Sequence, residues 1–192
     1  MARRFLITGT SPRVGKTTIG CALGFAMRAR GLRVGVMKPV DTLDSQDAQA
    51  LALAVGSTMP MDLICPYRYA ATPASADAPD LTHISKCFNK IAAQSDVVIV
   101  EGSDLIDFAD IAATLDLELI LIVGNRPGYA DAAMLMIQRC ETRGLKITGY
   151  ILCDCDPTPA VNAASLQQIK VPYLGRMRHR EPLARTIVEK LI

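Results

Sequence analysis

Long apolar runs, a secretory leader, metal-ligand spacings and a surplus of one charge are all missing from this sequence, and each absence narrows what the chain can be. Half of the 192 residues are hydrophobic, yet charged residues interrupt every apolar stretch before the roughly 20 residues needed to cross a bilayer. The expectation is a soluble protein with no membrane partner. Arg3 and Arg4 are followed by Phe5, Leu6 and Ile7, but the run ends at Thr8 and Gly9, too short for the apolar core of a signal peptide. The mature protein is expected to start here and to stay in the cytoplasm. The six cysteines, Cys21, Cys65, Cys87, Cys140, Cys153 and Cys155, show no paired CxxC step and no neighbouring histidine cluster, so they read as buried thiols. Cys153 and Cys155 lie close together, but alternate residues at a strand end face opposite ways, which argues against a shared metal. The net charge is only +2, and aromatics make up 5% of the chain. Without a basic stripe or stacking platforms, nucleic acid is not an expected partner.

What is present is alternation. Val-, Ile- and Leu-rich runs of strand length recur at Arg4 to Thr8, Arg33 to Met37, Asp96 to Val100, Glu118 to Val123, Ile147 to Leu152 and Pro172 to Leu174. They lack strict alternation of apolar and polar residues, as strands buried on both faces do. Helical spacing falls between them, at Thr17 to Arg30, Asp47 to Ala54, Ile84 to Gln94, Ala130 to Arg143, Ala160 to Gln168 and Leu183 to Leu191. Strands alternating with helices imply right-handed crossovers and a mainly parallel sheet covered on both faces, a three-layer α/β/α arrangement. Ligands of such sheets bind at the carboxyl ends of the strands. No repeat, low-complexity segment or linker divides the chain, so residues 1–192 are expected to form one domain. The segment from Met59 to Asp80, with four prolines, cannot be one helix or a central strand. It reads as an ordered loop over the site or a mobile lid.

The run FLITGTSPRVGKTTIG passes from an apolar strand through a Gly and Lys loop into a helix, the context of a phosphate-binding loop and hence of the P-loop NTPase fold. Gly15 permits close backbone approach, the loop amides point inward and the helix start adds its positive end. Arg13, Val14, Gly15, Lys16, Thr17 and Thr18 are therefore expected to hold the phosphates of ATP or GTP. Lys16 would bridge the β and γ phosphates and the Thr17 hydroxyl would ligate Mg²⁺. Thr10 stands where the strict pattern has its first glycine, with Gly9 one residue earlier, so either Thr10 tolerates the turn or Gly9 relieves it. An ordinary glycine-rich turn is the competing reading.

Three other residues stand where strands end or helices begin. Lys38 follows the second strand, where an ammonium can neutralise transferring phosphoryl oxygens, although KPV also fits a strand-ending turn that leaves a surface lysine. Glu101 ends the third strand, where a carboxylate can reach Mg²⁺. Asp47 opens a helix and offers a second carboxylate, but acids are favoured there for dipole reasons alone, and Asp44 is a rival.

The segments GTSPRVGKT, VMKPV, SQDAQALAL, CPYRYAATPASADAP, DVVIVEG and GYILCDCDP together resemble the dethiobiotin synthetase family, ATP-dependent ligases of biotin synthesis, in the right order over most of the chain. The resemblance implies the alternating fold above, ATP and Mg²⁺ as cofactors, and a homodimer with substrate near the subunit interface. The implied reaction joins CO₂ to 7,8-diaminopelargonate, a small diamine, activates the carbamate with ATP and closes a ring. It gives Lys38, with Lys16, a catalytic role, makes Thr42 a substrate-binding hydroxyl and assigns Mg²⁺ to Thr17, Asp47 and Glu101. The chain departs from the family where EGAGG becomes EGSDL, placing Asp104 and Leu105 where glycine amides approach the phosphates; an acid there is repulsive unless Mg²⁺ or a base compensates. Arg13 replaces the usual acid of the loop, and Arg178, His179 and Arg180 replace the adenine-side loop. His179 among these arginines reads as a solvated face rather than a general base. The adenine-reading asparagine falls at Cys153, followed by Asp154, an acid similar to the one that reads guanine in related GTPases, though no NKxD run accompanies it. Asn125 and Arg126 lie either near ligand or in a turn opening the next helix. Two alternatives remain beside the synthetase: an amide ligase domain of the cobyrinate diamide synthase type, and a non-enzymatic nucleotide-binding domain.

Overall fold

The computed structural model describes residues 2–70, 78–154, 167–178 and 181–192. Six strands form one sheet: β1 (Arg3–Gly9), β2 (Val34–Met37), β5 (Val97–Glu101), β6 (Glu118–Gly124), β7 (Ile147–Cys153) and β8 (Tyr173–Met177), in the order β2-β5-β1-β6-β7-β8. Every pairing in it is parallel. The helices are α1 (Lys16–Arg28), α2 (Asp47–Val55), α3 (Met61–Ile64), α4 (Leu81–Ala92), α5 (Phe108–Leu115), α6 (Tyr129–Thr142) and α7 (Arg185–Glu189).

The three layers follow from strand geometry, because successive side chains leave opposite faces of a pleated strand. Along β1, Phe5 and Ile7 enter a core with Ile19 and Leu23 of α1, Leu51 of α2 and Ile187 of α7. Leu6, between them, enters the opposite core with Phe88 of α4 and Ile111 of α5. In β5, Val97 and Ile99 join the first core and Val98 and Val100 the second. With both faces covered, the strands are the continuous apolar runs seen in the sequence.

The structure adds what short or unperiodic segments hid. Val40–Thr42 forms β3 and Tyr67–Tyr69 forms β4, a separate parallel pair. Three residues are too few to display a period of two, so Met59 to Asp80 read as irregular although it holds α3 and β4. Helix α5 is also hidden in the sequence pattern, since its apolar residues run almost directly into β6. Its start was nevertheless marked, for Asp107 accepts a hydrogen bond from the Ala109 N–H at 2.9 Å, as an N-cap acid does. The last strand runs beyond Leu174 to Met177. The helix expected over Ala160 to Gln168 lies mostly outside the described residues, as do Cys155, His179 and Arg180.

Asp107 also pairs with Arg139 at 3.0 Å and Arg143 at 3.2 Å, tying α5 to α6. Burial works to raise its carboxyl, but the Ala109 N–H and the two arginines outweigh burial and hold it below its usual value. Its contribution is therefore present above the unfolded carboxylate range and lost as pH falls through the lowered folded value. We expect Asp107→Ala to cost about 1 kcal/mol at neutral pH, read by urea unfolding, and the difference from wild type to shrink progressively below pH ~4.

Candidate active site

The loop between β1 and α1 is shaped by two glycines. A Cβ on Gly9 would lie 2.4 Å from Val14 Cγ1 and 3.3 Å from Lys16 Cγ, so the bare backbone there admits the apolar side chain that anchors the loop. Gly15 has φ 98° and caps α1, and a Cβ on it would meet Cys153 Sγ at 2.8 Å. Neither Gly9 nor Thr10 has a positive φ; the left-handed step of a residue with a side chain falls at Arg13, φ 54°. The strain foreseen at Thr10 is thus absent, and Gly9 serves by leaving space rather than by turning.

Beneath the loop, four side chains from four elements meet. Lys38, at the end of β2, is 4% exposed and Glu101, at the end of β5, 1%. The Lys38 ammonium donates to Glu101 Oε1 at 2.7 Å and to Asp47 Oδ2 at 2.9 Å, and the Thr17 hydroxyl donates to the same Glu101 oxygen at 2.8 Å. Lys38 is therefore not a surface lysine, and Asp47 rather than the exposed Asp44 reaches the site. Burial opposes the Lys38 charge, but Glu101 and Asp47 outweigh it and hold Lys38 above its ordinary value, so it stays an ammonium at neutral pH. Burial pushes the Glu101 carboxyl up, while Lys38 and Thr17 pull it back. The nearby Cys21 thiol is pushed up to about 11, by burial first and then by the charges of Glu101 and Asp47.

Two carboxylates against one ammonium leave surplus negative charge, and Glu101 Oε2 is buried without a hydrogen-bond partner. That oxygen, the Asp47 carboxylate and the Thr17 hydroxyl are hard oxygen ligands of the kind Mg²⁺ takes. Among the described residues no three His, Cys, Asp or Glu side chains cluster closely enough to hold a metal alone. The set therefore suits an ion that completes its shell with water and phosphate oxygens, and Mg²⁺ fits.

Arg13, Gly15, Lys16, Thr17, Thr18, Lys38, Thr42, Asp47 and Glu101 all line one cavity of about 520 Å³, at the carboxyl ends of the strands. Three candidates stand apart from it. Val14 is wholly buried in the core, and Cys153 is buried against Gly15. Both Asp154 oxygens engage the Arg176 guanidinium, and Oδ1 also accepts from Asn125 Nδ2 at 2.6 Å, which commits the acid considered for guanine recognition. Asn125 is buried in that network, and Gly128 opens α6 just beyond it. The cavity also contains Asp41, which sequence reasoning passed over although an acid directly after KPV was a visible signal. Residues Gly102 to Leu105 line both this cavity and a second of similar volume, which Asp107, Phe108 and Arg139 also help to line. Asp104 does not stand unopposed there, since its carboxylate lies 3.5 Å from Lys16 Nζ.

A family described as AAA domain matches residues 3–186. The ATP-dependent dethiobiotin synthetase of Anaeromyxobacter dehalogenans (strain 2CP-C) is 33% identical, over 95% of this chain and 88% of that protein. The enzyme of the same name from Xylella fastidiosa (strain 9a5c) is 35% identical, over 93% of this chain and 91% of its own. Among solved structures, a ParA family ATPase from Chlorobium tepidum superposes with a TM-score of 0.64 at 16% identity, covering 98% of this chain and 97% of that one. The septum site-determining protein MinD of Pyrococcus horikoshii, complexed with Mg-ADP, gives 0.61 at 17% identity, over 100% and 87%. At such identities the structures share the fold alone.

The Asp104 carboxylate, 63% exposed, occupies the Lys16 ammonium that a triphosphate would need. An exposed pair is worth only about 0.2–1 kcal/mol, so Asp104→Asn is expected to tighten binding of a non-hydrolysable ATP analogue with Mg²⁺ by about 1.5- to 5-fold. Calorimetric titration checks this, and weaker binding in the variant would mean that Asp104 assists the nucleotide instead.

Proposed function

This chain belongs to the dethiobiotin synthetase family of P-loop ATP-dependent ligases, and from that premise we propose that it joins CO₂ to 7,8-diaminopelargonate and closes the ring, giving dethiobiotin, ADP and phosphate. The observation that carries the proposal is the single cavity in which Lys16, Thr17, Lys38, Thr42 and Glu101 converge. Its volume of about 520 Å³ lies in the range of small-ligand sites. An amide ligase acting on a macrocyclic carboxylate would need a far larger cleft and a source of ammonia.

In this reading the loop amides from Arg13 to Thr18, with the N-terminus of α1, bind the triphosphate, and Lys16 leaves Asp104 for the phosphate oxygens. Thr17, Asp47 and Glu101 would hold Mg²⁺, which would supply positive charge to neutralise the phosphates. Lys38 keeps its proton, so it acts by charge and not as a base: its ammonium stabilises the carbamate and the phosphoryl group that passes to it. The Thr42 hydroxyl orients the diamine. We further propose that residues 1–192 act as one nucleotide-binding domain, in a cytoplasmic homodimer.

The test is phosphate release from ATP that depends on both bicarbonate and 7,8-diaminopelargonate. Lys38→Ala is expected to lower that turnover by ~10²–10³-fold, as loss of an electrostatic transition-state contact does, while a non-hydrolysable ATP analogue still binds. If the nucleotide binds but the diamine neither binds nor stimulates phosphate release, the proposal fails.

A further inference from the structure

Asp41, in β3 just beyond Lys38, is 5% exposed. Its Oδ1 accepts from the Thr42 backbone N–H at 2.9 Å, but its Oδ2 is buried with no hydrogen-bond partner. Three nearby donors among the described residues are directed elsewhere. Arg68, opposite Asp41 in the β3–β4 register, donates to the Leu43 and Ser45 carbonyls. Lys38 is held by Glu101 and Asp47, and the Cys65 thiol donates to the Tyr67 carbonyl. A buried carboxylate oxygen without a donor is costly to keep, and Asp41 lines the same cavity as Lys38 and Thr42.

What would satisfy it is a group bearing N–H donors and positive charge. Phosphate is excluded by its sign, and the hard-cation ligands are already gathered at Thr17, Asp47 and Glu101. We infer that Asp41 recognises an ammonium group of the substrate diamine; this deepens the function proposed above and rests on it. The chemistry suits adjacent amines, because a second ammonium beside the first is disfavoured and such a pair carries mainly one proton near neutral pH. Asp41 takes the protonated nitrogen, and the other amine stays neutral and free to add to CO₂ beside Lys38. Asp41 is thus a specificity residue for substrates that carry an ammonium at that position, over analogues that lack it or are neutral there.

The experiment titrates 7,8-diaminopelargonate, and its two monoamine analogues, into wild type, Asp41→Asn and Asp41→Glu, each carrying Mg²⁺ and a non-hydrolysable ATP analogue. We expect Asp41→Asn to bind the diamine about 10- to 100-fold more weakly, the scale of a charged hydrogen bond, and Asp41→Glu to recover part of the loss. Affinity for the ATP analogue, which also reports a folded site, should stay within about twofold, and one monoamine should bind wild type and Asp41→Asn about equally. Diamine binding that is unchanged in Asp41→Asn overturns the inference and leaves the synthetase reading intact. So does an equal fall in diamine and nucleotide affinity in both variants, which makes Asp41 structural. If wild type itself does not bind the diamine, the reading and the inference fall together.

Discussion

The contact between the Lys38 ammonium and the Glu101 carboxylate, 2.7 Å apart and almost wholly out of water, is the constraint from which the site is built. Removing one member of such a pair typically costs about 3–5 kcal/mol, because the other is left buried and uncompensated. Neither residue can therefore be understood without the other. Their strands are hydrogen-bonded neighbours, with Met37 of β2 beside Val100 of β5, so the parallel register brings the two strand ends together. Asp47 then draws in the start of α2 and Thr17 the start of α1. The ion pair is thus less a source of stability than a device of position, since charges withdrawn from water must be met in one geometry or not at all.

The phosphate loop is held by a different means, the exchange of side-chain volume for backbone approach. Val14 fills space that a side chain at Gly9 would take, and Cys153 fills space that one at Gly15 would take. Cys153 belongs to β7, and its place in the core lets the loop rest closely on the sheet. Asp154, next to it, is turned to a structural task by Arg176 and Asn125. Asp104 shows how a departure from a family pattern can be absorbed. In the absence of nucleotide the carboxylate is met by Lys16, 3.5 Å away, and the same contact makes the acid a competitor of the nucleotide.

Much of this was legible beforehand because it depends on short stretches of chain. The strand, loop and helix around Lys16 are contiguous, and their apolar pattern and glycines carry their own physical requirements. The central strands were recognisable because burial on both faces demands unbroken apolar runs, and Glu101 stood out as a charge ending such a run. The β3–β4 pair was hidden by brevity, and α5 by apolar residues continuing into β6. Helix α5 could have been found from its cap, Asp107, followed by Phe108, Ile111, Ala112 and Leu115 at helical spacing.

The sequence by itself determined the alternating parallel architecture, the phosphate loop and the residue types that phosphoryl chemistry requires, because each follows from local periodicity, glycine geometry or charge. Only the tertiary structure decided that Lys38 is buried between two carboxylates, that Asp47 and not Asp44 reaches it, that Asp154 is committed to Arg176, and that Asp41 keeps an unpartnered oxygen. These facts join residues far apart in the chain, and a charge in a sequence does not reveal whether its partner is water or another buried charge. Packing settles that question, by removing the water.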